Sequence, residues 1–217
     1  MKRLCVGLCL AVVVLSSGRA AAQQGVDPFL KAAPPGPPES GVSVGLSVGF
    51  GLPMGNVGGS VAMTDLFAGA LPIQIDLGYR FTPNLYLGAF YQYSIAFTSS
   101  TLEAACAFDG VSCSGSDMQF GLAFVYTFLP YSSFAPYAGL GIGWEILTIT
   151  VPTVSGITTW SGFQFARLIV GGDFRVGSTF RVGPFANFSL GQFSDSTIAS
   201  PSIHTWLQFG IKGTVDL

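Results

Sequence analysis

Residues 42–54 read Val-Ser-Val-Gly-Leu-Ser-Val-Gly-Phe-Gly-Leu-Pro-Met. Val42, Val44, Leu46, Val48, Phe50, Leu52 and Met54 hold the even positions, and Ser43, Gly45, Ser47, Gly49 and Gly51 interleave with them. A period of two sends successive side chains to opposite faces of a β-strand. One face is therefore large and apolar along its whole length, and the other is small and weakly polar. A soluble sandwich would bury the apolar face against a second sheet. A strand in the wall of a membrane barrel needs no such partner, because lipid covers that face.

Working outward, seven further segments repeat the pattern, near 69–81, 84–97, 117–128, 134–149, 161–176, 180–193 and 204–217. In the second, Leu71, Ile73, Ile75 and Leu77 alternate with Gln74, Asp76, Gly78 and Arg80. In the last, Leu207, Phe209, Ile211 and Val215 alternate with Gln208, Lys212 and Asp216. The segment at 161–176 is the irregular one: Phe163, Phe165 and Ile169 fall on the same parity as Arg167, Asp173 and Arg175. Connections near 54–68, 98–116, 150–160 and 194–203 are long, and those near 82–84, 129–133 and 177–179 are short. This arrangement predicts an all-β fold, an eight-stranded antiparallel transmembrane β-barrel over 41–217 with both termini on one side.

Composition agrees. Charged residues are 9% of the 217, with 29 Gly and 19 Phe, against about 25% charged in ordinary globular domains. No run of 18 uninterrupted apolar residues follows residue 23, so no helix is predicted to span a bilayer. Only helices and closed barrels satisfy their own backbone polar groups in lipid, and the barrel is what remains.

The N-terminus reads as a secretory signal peptide over 1–22: Lys2 and Arg3, a short apolar run from Leu4 to Leu15, and Ala20-Ala21-Ala22 as a cleavage site. Residues 23–40 are Pro-rich and aperiodic, an extended periplasmic lead-in. Cleavage removes Lys2, Arg3 and Arg19 from nine basic residues and none of the eleven acids, leaving a net charge of −5. That balance argues against nucleic acid as a partner. Cys5 and Cys9 leave with the signal, and Cys106 and Cys113 are expected to form a disulfide in the oxidising exterior. Two cysteines and the lone His204 are too few to suggest a metal site, and no cofactor is expected.

The segments NLYLGAFYQY (84–93, after Thr82-Pro83), VGPFANFSLG (182–191) and HTWLQFGIKGTVDL (204–217) make the chain resemble the small eight-stranded outer-membrane barrels of the OmpA/OmpX/OmpW-like group. The resemblance implies a bacterial outer-membrane location with periplasmic N- and C-termini. It implies that the last strand is read by the barrel-assembly machinery, although this chain ends in Leu217 rather than Phe. The OmpW-like part of it implies a narrow conduit for ions or small hydrophobic molecules as one reading of function.

The residues themselves place the candidate site in the lumen. Arg80, Arg167, Arg175, Arg181 and Lys212 share the inward face with Asp76, Glu145, Asp173 and Asp216. Charges on the lipid face would cost about 2–4 kcal/mol at the midplane, so a buried charge network is expected, with Glu145 near Arg167. Tyr86, Phe90, Tyr137, Phe163, Phe165 and Phe185 are expected to help fill it. The alternative is an ion-conducting path. Trp144, Trp160, Trp206, Tyr79, Tyr93 and Tyr126 are candidates for interfacial girdles. His204, with Ser202 and Thr205 beside it, lacks a neighbouring acid in sequence. A lipid A-modifying enzyme is therefore the weakest reading, and His204 is expected at the barrel mouth without a catalytic role. Gly139-x-Gly141-x-Gly143 reads as strand glycines making room for bulky neighbours, not as a phosphate loop. Asp65, Glu103, Asp109, Asp117 and Asp195 are assigned to loops, where divalent cations could bridge them to lipopolysaccharide. The favoured function is non-catalytic, structural and surface-exposed, in a monomer embedded in outer-membrane lipid.

Overall fold

The structure, a computed structural model, describes residues 38–108, 110–151, 156–194 and 201–217. The expected signal peptide at 1–22 and nearly all of the expected lead-in at 23–40 lie outside the described residues, as do Asp109 and Asp195. Eight long strands run β1 (Gly41–Gly58), β2 (Phe67–Thr82), β3 (Leu85–Thr98), β4 (Ser114–Thr127), β5 (Phe134–Val151), β6 (Gly156–Val176), β7 (Phe180–Phe193) and β8 (Ile203–Asp216). Each pairs antiparallel with the next, and β1 pairs with β8 from Ser43↔Asp216 to Gly55↔His204, which closes the barrel. Closure leaves no unpaired edge in the wall. At β6 to β7 the reversal is made in three residues, with Gly177 at φ +84°, a conformation that favours glycine.

The burial is inside-out. Leu46, Leu77, Leu140 and Ile211 are each more than half exposed on the outer surface, whereas Gln119, Gln164 and Arg167 are fully buried inside. The strands also exceed the ~9–11 residues a tilted strand needs to cross a bilayer; β6 has 21. The surplus at the long-connection end carries two short helices, α1 (Met63–Leu66) and α2 (Ser100–Phe108). Ser99 ties them together: its N–H donates to Leu66 O at 3.0 Å, its hydroxyl donates to Asp65 O, and Leu102 N–H donates to Ser99 Oγ at 3.1 Å. Cys106 at the end of α2 is disulfide-bonded to Cys113 at the start of β4.

Two bulges explain where the simple alternation fails. In β6, Gln164 pairs with Gly191 and Ala166 with Leu190, so Phe165 is the extra residue. An inserted residue shifts the parity of everything beyond it. Phe163 and Phe165 therefore point outward, 39% and 45% exposed, while Gln164 and Arg167 both point inward. The expectation that Phe163 and Phe165 fill the lumen is corrected by this bulge. They join Trp144 in an outer aromatic row, with Trp144–Phe163 and Phe163–Phe165 centroids 6.3 and 5.6 Å apart. A second irregularity between Phe67 and Gly69 turns Phe67 fully inward.

Interior glycines accommodate large side chains. A β-carbon at Gly143 would lie 3.1 Å from Phe90 Cζ, and one at Gly141 would lie 3.4 Å from Arg167 Cβ. The cross-strand pair Gly78 and Gly88 leaves room for the Tyr86 ring in the same way, since a β-carbon at either would come within 2.7 Å of Tyr86 Cζ.

Candidate functional site

The lumen is filled in layers. At the short-turn end, Asp216 is the hub. It accepts from Ser43 Oγ at 2.8 Å, from Arg181 Nε at 2.8 Å and Nη2 at 3.1 Å, and from Arg80 Nε at 3.5 Å. Arg181 also pairs with Asp173. One step deeper, Lys212 Nζ lies 2.9 Å from Asp76, which accepts from Gln74 Nε2 at 2.8 Å. Arg175 stands apart from this cluster. It is only partly buried and donates to the Pro130 carbonyl at 2.8 Å, bracing the 128–133 turn. Tyr86, Phe90, Tyr137 and Phe185 are buried among these layers. The cavities left between the charged layers are small, about 30 Å³ against Arg80, Asp173 and Arg181 and about 20 Å³ against Gln74 and Asn187. Each has room for a water or two at most.

The middle layer is built on Arg167, which makes no ion pair with a carboxylate among the described residues. Its Nη1 donates to Gln119 Oε1 at 2.9 Å. Its Nη2 faces Gln74 Oε1 at 2.5 Å, Gln92 Oε1 at 2.9 Å and Gln208 Oε1 at 3.2 Å. With its amide oriented to satisfy both of its ends, Asn187 accepts from Arg167 at 2.9 Å and donates to Ala186 O at 3.2 Å. The guanidinium carbon sits 4.5 Å from the Phe90 ring centroid, a cation–π distance. The amides relay the charge outward. Gln119 donates to Asp117 at 2.9 Å, Gln74 to Asp76, and Gln92 to Ser94 at 3.0 Å.

Above that layer Glu145 accepts from Trp206 Nε1 at 2.9 Å and pairs with His204 Nε2 at 2.9 Å. The imidazole stacks on Phe193 at 4.0 Å. Glu145 and Arg167, expected near each other, sit in neighbouring layers of the lumen and make no ion pair among the described residues; the amides stand between the two layers. Asp117, assigned to a loop from sequence, is 1% exposed inside β4, bonded by Gln119 and Ser94. Trp206, expected in a girdle, is 1% exposed inside the barrel, and His204 is buried rather than set at the mouth. The parity of β8 carries both inward: if Leu207 and Phe209 face lipid, His204, Trp206 and Gln208 face the lumen. The outermost layer is apolar. Met63, Phe67, Leu147, Ile149 and Phe193 pack with Trp206 beneath α1 and Leu102 of α2.

With this geometry in place, the comparisons with known proteins decide the family. The family model described as "Outer membrane protein beta-barrel domain" matches residues 8–197. The chain belongs to this family of outer-membrane barrels. Among solved structures, Neisserial surface protein A has a similar fold at TM-score 0.55 and 11% identity, over 83% of this chain and 98% of that one. OprG of Pseudomonas aeruginosa gives 0.48 at 10% identity over 82% and 98%. Ail, the attachment invasion locus protein of Yersinia pestis, gives 0.42 at 13% over 79% and 98%. At these identities the likeness concerns the fold alone. No curated protein matches the chain.

Proposed function

We propose that the chain is a sealed, non-catalytic outer-membrane barrel whose biological role lies in its shell and its long-loop end. The observation that carries this reading is the fully buried Arg167, held by amides of β2, β3, β4, β7 and β8 across the middle of the lumen. An eight-stranded barrel is just wide enough for side chains to fill, and here they do so from the charged hub at Asp216 to the apolar layer under α1. β1 begins and β8 ends at the short-turn end, which in this reading is periplasmic, following signal-peptide export and insertion through the last strand. The long-loop end then faces outward into lipopolysaccharide, with Asp65 and Glu103 exposed as acids that divalent cations can bridge.

Planar-bilayer recordings on the wild-type protein test the sealed lumen. Silence or rare, irregular events are expected, and steady, reproducible unit conductance would overturn it. The outer apolar layer supports a second reading, entry of small hydrophobic molecules at the mouth. Uptake of an apolar fluorescent dye by cells bearing wild-type or Phe67→Asp protein separates the two, since only the second reading expects the variant to lose uptake.

A further inference from the structure

Arg167 is a fully buried cation with no carboxylate in ion-pair contact among the described residues. Isolated buried charge is costly unless its donors are satisfied. Here five side-chain amide oxygens take the place of water, that of Gln119 on Nη1 and those of Gln74, Gln92, Asn187 and Gln208 sharing the two N–H groups of Nη2. Two features make this ring more than the packing of one side chain. First, four of the five amides are anchored at their other end by bonds that do not involve Arg167: Gln74 on Asp76, Gln92 on Ser94, Gln119 on Asp117 and Asn187 on Ala186 O. Their oxygens are therefore aimed at the centre of the ring by the barrel wall. Second, every bond to the ring comes from the terminal Nη1 and Nη2, while Nε has no partner among the described residues. A free guanidinium ion could make the same bonds without the chain attached to it.

We infer that the amide ring is a preorganised guanidinium site in its own right, occupied in the native protein by the tethered side chain of Arg167. Its chemistry selects a planar cation with several N–H donors. The oxygens reject anions, the Phe90 face favours a flat cation, a neutral amide brings no charge, and sodium would have to shed a strongly held hydration shell to reach oxygens set for a planar ion. Arg167 thus acts as a built-in ligand that joins strands from around the whole barrel. The inference holds whether or not the wild-type lumen conducts.

The test is chemical rescue of the full chain refolded in detergent or lipid. Arg167→Ala should lower the temperature at which the compact, heat-modifiable gel band is lost by roughly 10 °C. Low-millimolar guanidinium chloride, far below denaturing levels, should restore more than half of that loss. Equal sodium chloride or urea should restore none, and wild type should not respond. Adding Gln74→Leu and Gln208→Leu to Arg167→Ala should abolish the rescue. If Arg167→Ala does not refold unaided, its refolding yield with and without guanidinium becomes the readout, with the same ordering of solutes. The inference is overturned if Arg167→Ala is as stable as wild type. It is also overturned if guanidinium acts no better than sodium in both assays, or if the ring-oxygen variant is rescued equally well.

Discussion

Glu145 of β5 accepts the indole N–H of Trp206 at 2.9 Å while its other oxygen lies 2.9 Å from His204 Nε2. One carboxylate thus holds the only histidine of the chain and a tryptophan that belongs to the apolar outer layer. All three side chains are about 1% exposed, so neither donor can turn to water. Glu145→Leu strands both and should cost about 2–6 kcal/mol, since each buried partner left unsatisfied costs about 1–3 kcal/mol. Glu145→Gln keeps an acceptor for Trp206 and should cost about 1–3 kcal/mol. Denaturant unfolding in detergent, followed by tryptophan fluorescence in a Trp144→Phe, Trp160→Phe background, gives both numbers. Equal losses for the two variants would show that the carboxylate is not the link.

The bulge at Phe165 predicts an unusual tolerance. Because Gln164 and Ala166 already pair with consecutive residues of β7, deleting Phe165 restores regular alternation without moving Arg167 from the lumen. The deletion should fold with little loss. Phe165→Arg instead puts a charge on the lipid face and should cost about 2–4 kcal/mol if the residue lies near midplane. Heat-modifiable mobility of the two proteins side by side checks the ordering; a deletion more damaging than the arginine would place Phe165 inside.

The same residue marks the limit of what alternation can tell. The eight strands, their faces and the short turns were legible because lipid on one side and a polar lumen on the other impose opposite chemistries at every step. Where the lumen itself turns apolar, near Phe67, Leu147 and Trp206, both faces look alike, and the interior layer vanishes from the pattern. Trp206 and His204 were recoverable from parity alone, as was Asp117 beside outward Met118. A bulge leaves only broken parity, as at 161–176, which shows that the faces switch but not at which residue. The amide cage around Arg167 was hidden for another reason. Its glutamines sit one per strand, on strands far apart in sequence, and look like ordinary polar lumen positions until the barrel closes.

The disulfide has a local job. Cys106 and Cys113 close a short loop that pins the end of α2 beside β4, and Leu102 of α2 packs on the apolar layer. For a loop of this length the chain-entropy contribution is about 2–3 kcal/mol. It acts on the helix rather than on the hydrogen-bonded wall. Cys106→Ala with Cys113→Ala should therefore leave barrel melting nearly unchanged while making the 100–113 segment susceptible to limited proteolysis. Mass mapping of the first cleavage site decides this. Cuts confined to the other long connections would mean the disulfide does not control the cap.

At the opposite end, Asp216 joins the two strands that close the barrel. It accepts from Ser43 of β1, two residues into the first strand's ladder, and from Arg80 and Arg181 of β2 and β7. Arg181 keeps Asp173 if Asp216 is removed, but among the described residues Arg80 keeps only the Pro83 carbonyl at 3.1 Å. Asp216→Ala should therefore cost about 3–5 kcal/mol, and Asp216→Asn less, because the amide oxygen still accepts from Ser43. Adding Arg80→Ala to Asp216→Ala removes the stranded cation and should recover part of the loss. Since the groups are buried, salt should change these differences little. The double-mutant comparison in low and high salt reads both expectations at once: strictly additive losses would show that Arg80 and Asp216 do not interact, and a strong salt dependence would show that the hub is open to solvent.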